Sequence, residues 1–228
     1  MKKRALVIAS HPDDEILGCG GTMARLTQEG YEFTIAILGE GITSRFSQRE
    51  AANPELLRRL HAKALEAGRI VGVSDVRLFG LPDNRFDTVP LLEVVKIIES
   101  VVAETQPDSV FTQHGGDLNI DHAVTYRATL TATRPLTGSS VVQLYAYEIA
   151  SSTEWAFQSF APIFQPNVFF DITGFVERKT SAMEVYESEA RPYPHPRSPE
   201  ALTHQAKHWG SVVGVTAAEA FHLVRARI

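Results

Sequence analysis

Apolar and polar positions along this chain fall into short blocks that switch between two periods. The runs at 5–10 (ALVIAS), 33–38 (FTIAIL), 76–79 (VRLF), 109–112 (SVFT) and 142–147 (VQLYAY) are almost continuous in apolar or small residues. Such runs suit strands covered on both faces of a parallel sheet. The segments between them, 15–28, 54–71, 91–104 and 120–133, carry helical spacing. Gly30 follows the first of these, Pro54 opens the second where its missing N–H costs little, and the fourth stops ahead of Pro135. This β-α-β-α rhythm predicts a doubly wound α/β sheet.

The last third is less regular. NVFFDI (167–172) predicts a sixth strand and 175–188 a helix. RPYPHPRSP (191–199) then packs four prolines into nine residues, so it is neither helix nor central strand. It reads as an ordered loop rather than a spacer. A short helix at 201–209 and a strand-like stretch at 221–224 follow. With no internal repeat and no low-complexity segment, residues 1–228 read as one domain.

Composition narrows the class. A length of 228 residues with 44% hydrophobic and 21% charged residues fits one soluble globular domain. The net charge of -5 gives no electrostatic footing for a nucleic-acid partner. Cys19 is the only cysteine, which excludes an intrachain disulfide framework and a cysteine-based zinc motif. No apolar run approaches the ~18 residues of a membrane span. The basic start, 1–4, is followed by an apolar stretch that ends at His11, too short for a signal-peptide core. The expectation is a cytoplasmic protein with no membrane partner.

Ligands of open α/β sheets bind at the carboxyl ends of the strands. Three polar clusters fall at such ends: HPDDE (11–15), GEGITSR (39–45) and QHGGDLNIDH (113–122). Imidazoles and carboxylates are good ligands for zinc, and catalytic zinc takes three protein ligands plus water. His11 and Asp14 stand three apart on a turn into a helix, so both can face one way while Asp13 faces another. His122, opening the helix after the fourth strand and preceded by Asp121, is the natural third ligand. Asp13 is then free to act as general base toward a metal-activated water. Glu15 either orients a ligand or favours the helix N-terminus. The competing reading makes DDE a helix-capping cluster and His11 a loop residue. The second His/Asp cluster, at another strand end, favours the metal site. GCGG (18–21) is set about two helical turns too late for a dinucleotide fingerprint and suits close packing of a helix instead.

HPDDE after an N-terminal strand, with GG behind it on the helix, resembles the PIG-L/LmbE-like N-deacetylase family. GDLNIDH resembles that family's second metal motif, and TSRF (43–46), LPDNRFD (81–87) and YESEARPYPHPRS (186–198) are similar to patterns in bacterial members. The resemblance spans essentially the whole chain. It implies a Rossmann-like three-layer α/β sandwich with a mostly parallel sheet. It also implies a Zn2+ enzyme that removes an acetyl group from an amino sugar or sugar conjugate, with His11, Asp14 and His122 as ligands and Asp13 as base. Another divalent metal would fit the same ligands. Some members carry a histidine three residues before the second metal histidine. Here that position is Asn119, whose amide can donate a hydrogen bond to substrate but not a proton. Asp13 then does all the proton transfer, or His195 or His114 assists. Arg45 and Asp83 are candidate substrate contacts, with loop structure as the plainer reading of each. Two alternatives stay open: a non-haem Fe(II) enzyme on the same triad, and a carbohydrate-binding module without catalysis. By the same resemblance the chain is compatible with a homo-oligomer.

Overall fold

The computed structural model describes residues 2–228, apart from the side chain of residue 50. Among these residues, seven strands form one sheet: β1 (Arg4–Ala9), β2 (Glu32–Gly39), β3 (Asp75–Leu81), β4 (Ser109–Gln113), β5 (Gln143–Tyr147), β6 (Val168–Asp171) and β7 (Ala218–Ala226). The helices are α1 (Asp14–Gln28), α2 (Pro54–Ile70), α3 (Leu91–Thr105), α4 (Ile120–Ala132), α5 (Val176–Val185) and α6 (Pro199–Val213). The spatial order is β3-β2-β1-β4-β5-β7-β6, parallel from β3 to β5, with β7 antiparallel to both its neighbours. Chain order reverses between β1 and β4, and the crevice at such a reversal is where open α/β sheets bind ligands.

The continuous apolar runs are explained by two covered faces. Val7, Ala9, Ile35 and Ile37 pack into one core with Met23, Ala64 and Met183 of α1, α2 and α5. Leu6, Ile8, Ala36 and Leu38 pack into the other with Val94, Ile98 and Ala128 of α3 and α4. The result is the expected mostly parallel sheet between two helical layers. The early glycines serve the packing of α1: a Cβ on Gly18 would lie 2.2 Å from the Tyr147 ring, and one on Gly21 would lie 2.7 Å from Ile172. Among the described residues, no helix is long and apolar enough to cross a membrane.

The structure corrects the sequence reading at the C-terminal end. α5 stops at Val185, short of 188. α6 begins at Pro199 under a Ser198 cap, whose Oγ accepts from the Ala201 N–H at 3.0 Å, and runs on to Val213, beyond 209. Gly210, just past the expected end, lies inside the helix, where a Cβ would meet Ala217 N and Val215 O at 2.7 Å. The stop is Gly214, left-handed at φ 77. β7 also starts earlier than expected, because its buried Glu219 broke the apolar pattern.

Glu219 and Lys179 form a buried pair, each side chain 4% exposed, with Nζ 2.6 Å from Oε1. The carboxylate also accepts from the N–H groups of Gly21 (2.9 Å) and Thr22 (2.7 Å), and Lys179 donates to the Leu17 carbonyl at 2.8 Å. The pair therefore pins α1, the helix that carries the HPDDE turn. Lys179→Met, which strands the carboxylate, is expected to cost about 3–5 kcal/mol in urea unfolding, and less when combined with Glu219→Gln. Equal losses in the single and double variants would contradict this account of the pair.

Candidate active site

Two loops meet outside the β1/β4 reversal. Ser10 ties them together, its Oγ donating to Thr125 Oγ1 at 2.8 Å and lying 3.2 Å from the Asp121 carbonyl. The first loop carries His11, Asp13 and Asp14; the second carries Asp117, Asp121 and His122. Asp13 has left-handed backbone angles (φ 112, ψ -29) and makes no side-chain cap bond to α1. A non-glycine residue there costs on the order of 1–3 kcal/mol and persists only where its surroundings hold it. Asp13 therefore does not cap α1 through its side chain, whereas Asp14 and Glu15 accept from the backbone N–H groups of His11 and Asp13.

The three predicted ligands converge. One oxygen of Asp14, Oδ2, lies 3.4 Å from His11 Nδ1 and 3.3 Å from His122 Nε2. It is oriented by hydrogen bonds from the His11 N–H and from Gln113 Nε2, both 2.9 Å. The ligand atoms of His11, Asp14 and His122 all fall within 4.8 Å of one another. A tetrahedral zinc with bonds of about 2.0–2.1 Å would space its ligand atoms about 3.3 Å apart. The two separations from Asp14 Oδ2 are close to that spacing, which leaves room for an ion of that size among the three donors.

The outward nitrogens supply a second argument. His11 Nε2 lies 2.9 Å from Asp121 Oδ2 and 3.3 Å from Asp83 Oδ1. His122 Nδ1 lies 3.0 Å from Asp117 Oδ1, in ion-pair contact but off the line of a hydrogen bond. Each imidazole is thus held from behind by a carboxylate while its other nitrogen faces Asp14, the usual support of a metal-binding histidine. His11, Asp83 and Asp121 also come close enough to hold an ion through His11 Nε2. The 2.9 Å contact suits an N–H···O hydrogen bond there, which leaves Nδ1 for the metal. Asp117→Asn and Asp121→Asn are each expected to weaken metal binding about 10–100-fold, read by competition with a chelating dye. Unchanged affinity would contradict the supporting role.

The electrostatics demand positive charge. Asp14, Asp83, Asp117 and Asp121 are each at most 5% exposed. Burial opposes protonation of His122, but Asp14 and Asp117 lift its pKa to about 9. Burial likewise opposes charge on His11, yet Asp121 and Asp14 hold its pKa well above the ordinary value. Burial pushes the Asp14 carboxyl up, and the two histidines more than reverse this. A dication would satisfy these carboxylates in place of the protons.

Asp13 stands apart from the ligand set. Its Oδ2 accepts from Arg197 Nη1 at 2.8 Å, and its N–H donates to Glu15 Oε2 at 3.0 Å. Burial pushes its carboxyl well above the usual range, with Arg197 opposing and Asp14 adding to the rise. Glu15 in turn accepts from the Tyr186 hydroxyl at 2.5 Å, so it orients the turn from behind.

Other predicted residues are placed differently. Asp83 joins the site through His11, and its Oδ2 also accepts from the Ser44 N–H at 2.9 Å. Arg45 pairs with Glu189 on an exposed edge. Asn119 caps α4, its Oδ1 accepting from the Asp121 N–H at 2.9 Å and its Nδ2 donating to Asn84. Both ends of that amide are thus engaged within the protein. His114 is 1% exposed, packed on Phe164 and Tyr126, and burial lowers its pKa to about 4. Its Nδ1 accepts from the Gly116 N–H, and among the described residues it makes no close polar contact with His11, Asp14 or His122. His195 contacts none of the three ligands by any close polar contact among the described residues. It lies two positions before Arg197 and packs edge-on to Trp155. Sequence reasoning missed Arg197 and Asp117. Arg197 was visible only as one cation in a proline-rich loop, and Asp117 as the first carboxylate of GDLNIDH.

The PIG-L family model, described as GlcNAc-PI de-N-acetylase, matches residues 6–133. A Bacillus cereus protein named probable N-acetyl-alpha-D-glucosaminyl L-malate deacetylase 2 is 27% identical over 194 residues, covering 83% of this chain and 84% of the relative. The crystal structure of a conserved protein from Thermus thermophilus, TT1542, is 27% identical, with a TM-score of 0.75 over 98% of this chain and 96% of that one. N,N'-diacetylchitobiose deacetylase from Pyrococcus horikoshii shares the fold, with a TM-score of 0.78 at 23% identity over 98% of this chain and 84% of that one. The matched segment is more than half of the chain and holds HPDDE, Asp121 and His122, so the chain belongs to the PIG-L family.

Proposed function

We propose that this protein is a metal-dependent N-deacetylase that releases acetate from an N-acetylated amino sugar or sugar conjugate, with zinc as the metal. The observation that carries the reading is the division of labour in HPDDE. Asp14 sits between two carboxylate-backed imidazoles, while the adjacent Asp13 is turned onto Arg197. Pure sugar binding has no use for a second, strained carboxylate beside a metal site. The names of the Bacillus cereus and Pyrococcus horikoshii proteins support the same chemistry.

His11, Asp14 and His122 would hold the metal. Bound there, it supplies a Lewis acid for the acetamide carbonyl and brings the pKa of a water near neutrality. Asp13 takes a proton from the attacking water and passes it to the sugar nitrogen as the C–N bond breaks, leaving acetate and a free amine. Arg197 bonds Asp13 Oδ2 and so fixes the carboxylate, leaving Oδ1 for the proton. His195 accepts from the Arg197 N–H through Nδ1, which puts the proton of its neutral ring on Nε2. That N–H is the donor we assign to the developing oxyanion. Asp83 is the candidate acceptor for a sugar hydroxyl; Arg45 and Asn119, already engaged with Glu189 and at the cap of α4, are left out of the substrate contacts.

The test is acetate release from a panel of N-acetylated sugars before chelation, after it, and after zinc is restored. Activity lost with the metal and regained with zinc is the expected result. Activity that survives complete metal removal would overturn the reading.

A further inference from the structure

One short turn holds both halves of the site. In SSTEW (151–155), Ser151 Oγ accepts from Arg197 Nε at 2.8 Å, and Arg197 holds Asp13. The hydroxyls of Ser152 and Thr153 donate to the two oxygens of Asp117, the latter at 2.7 Å, and Asp117 backs the metal ligand His122. The base and the ligand are therefore tied to the same few residues. Trp155 follows immediately, on the short helical turn Glu154–Ala156, next to the buried Ala156.

Trp155 is placed unlike a packing residue. It is 42% exposed, although the backbone on either side is fixed. His195 meets it edge to face, with ring centroids 5.5 Å apart and planes at 79°. Two links connect Trp155 to the site, and both run through Arg197: along the turn to Ser151, which accepts from the guanidinium, and through His195, which accepts from the Arg197 N–H. The outcome is an open aromatic surface beside an N–H donor, both anchored to the group that holds Asp13.

A pyranose has the complementary chemistry. Its axial C–H groups form a weakly apolar face that rests on an aromatic ring, while its hydroxyls and acetamide take hydrogen bonds from groups at the edge. We propose that Trp155 is a substrate-contacting residue that sets specificity, serving as the platform on which the sugar ring stacks. The identity of that ring as an acetamido sugar rests on the deacetylase reading. The platform itself rests on Trp155, His195 and the SSTEW turn.

The chain has two tryptophans, so Trp209→Phe leaves Trp155 as the single indole reporter. Trp209 lies on α6 against Phe169 and Glu148, outside the site. Titration of the zinc-loaded Trp209→Phe protein with N-acetylglucosamine should change the Trp155 emission saturably. In the otherwise native chain, Trp155→Ala should raise KM about tenfold with little change in kcat, and Trp155→Phe should recover most of the loss. Emission that ignores the sugar at concentrations above KM overturns the proposal. So does a Trp155→Ala variant with lowered kcat and unchanged KM, which marks a structural role. Emission that follows protein concentration instead of sugar would assign the face to a second copy of the chain and also overturns it. Saturable sugar binding at Trp155 with no acetate released from any N-acetylated sugar of the panel would sustain the platform and remove the deacetylase reading.

Discussion

Asp13→Asn is expected to lower acetate release by about two to four orders of magnitude while the protein keeps its metal. The substitution preserves size and can still accept from Arg197, so the turn and the 2.8 Å contact can persist. What it removes is the ability to take and return a proton. Asparagine also tolerates left-handed backbone angles better than most residues, so the φ of 112 at this position does not by itself unfold the turn. Folding, metal content and activity can therefore be separated. Unchanged activity in a metal-loaded Asp13→Asn protein would remove Asp13 as the base.

His122→Ala is expected to abolish activity by a different route, through loss of the metal. His122 is 2% exposed and is one of the three proposed ligands, and its removal leaves Asp14 and Asp117 facing a space without a cation. Metal content measured on the purified variant should fall well below one ion per chain. Zinc in excess should fail to restore acetate release. A variant that retains one tightly bound metal would place the ion elsewhere, with the group of His11, Asp83 and Asp121 as the first place to look. The two variants together separate proton transfer from metal binding, which neither does alone.

Much of the fold was legible because its central strands are buried on both faces. Residues such as Leu6, Val7 and Ile8 must all be apolar when α1 and α2 lie on one side and α3 and α4 on the other. The reading weakened where tertiary packing overrode local signals. The helix expected to end at 209 runs on through Gly210, which the close approach of 215–217 requires, and Glu219 hid the start of β7 because its partner Lys179 lies 40 residues away. The candidate ligands were legible for a similar reason: His11, Asp14 and His122 lie at strand ends in short motifs, and the fold brings them together. The groups that orient them were less so. Arg197 reaches Asp13 from 184 positions along the chain, and although its segment was singled out, nothing in it marks this arginine as the partner of Asp13. Asn119 and Arg45 show the converse. Each has a chemistry that suits substrate, and each is engaged within the protein, as the cap of α4 and as the partner of Glu189. A side chain's capacity is written in the sequence; whether that capacity is already used is decided by contacts made across the fold.

The central claim is that this site cleaves the amide of an N-acetylated sugar. The most direct measurement is to quantify acetate and free amine together, from N-acetylglucosamine and its conjugates, with protein carrying one zinc per chain. The account predicts equal amounts of both products, formed with turnover. If fully zinc-loaded protein liberates neither product from any N-acetylated sugar, the metal site can stand but the deacetylase cannot.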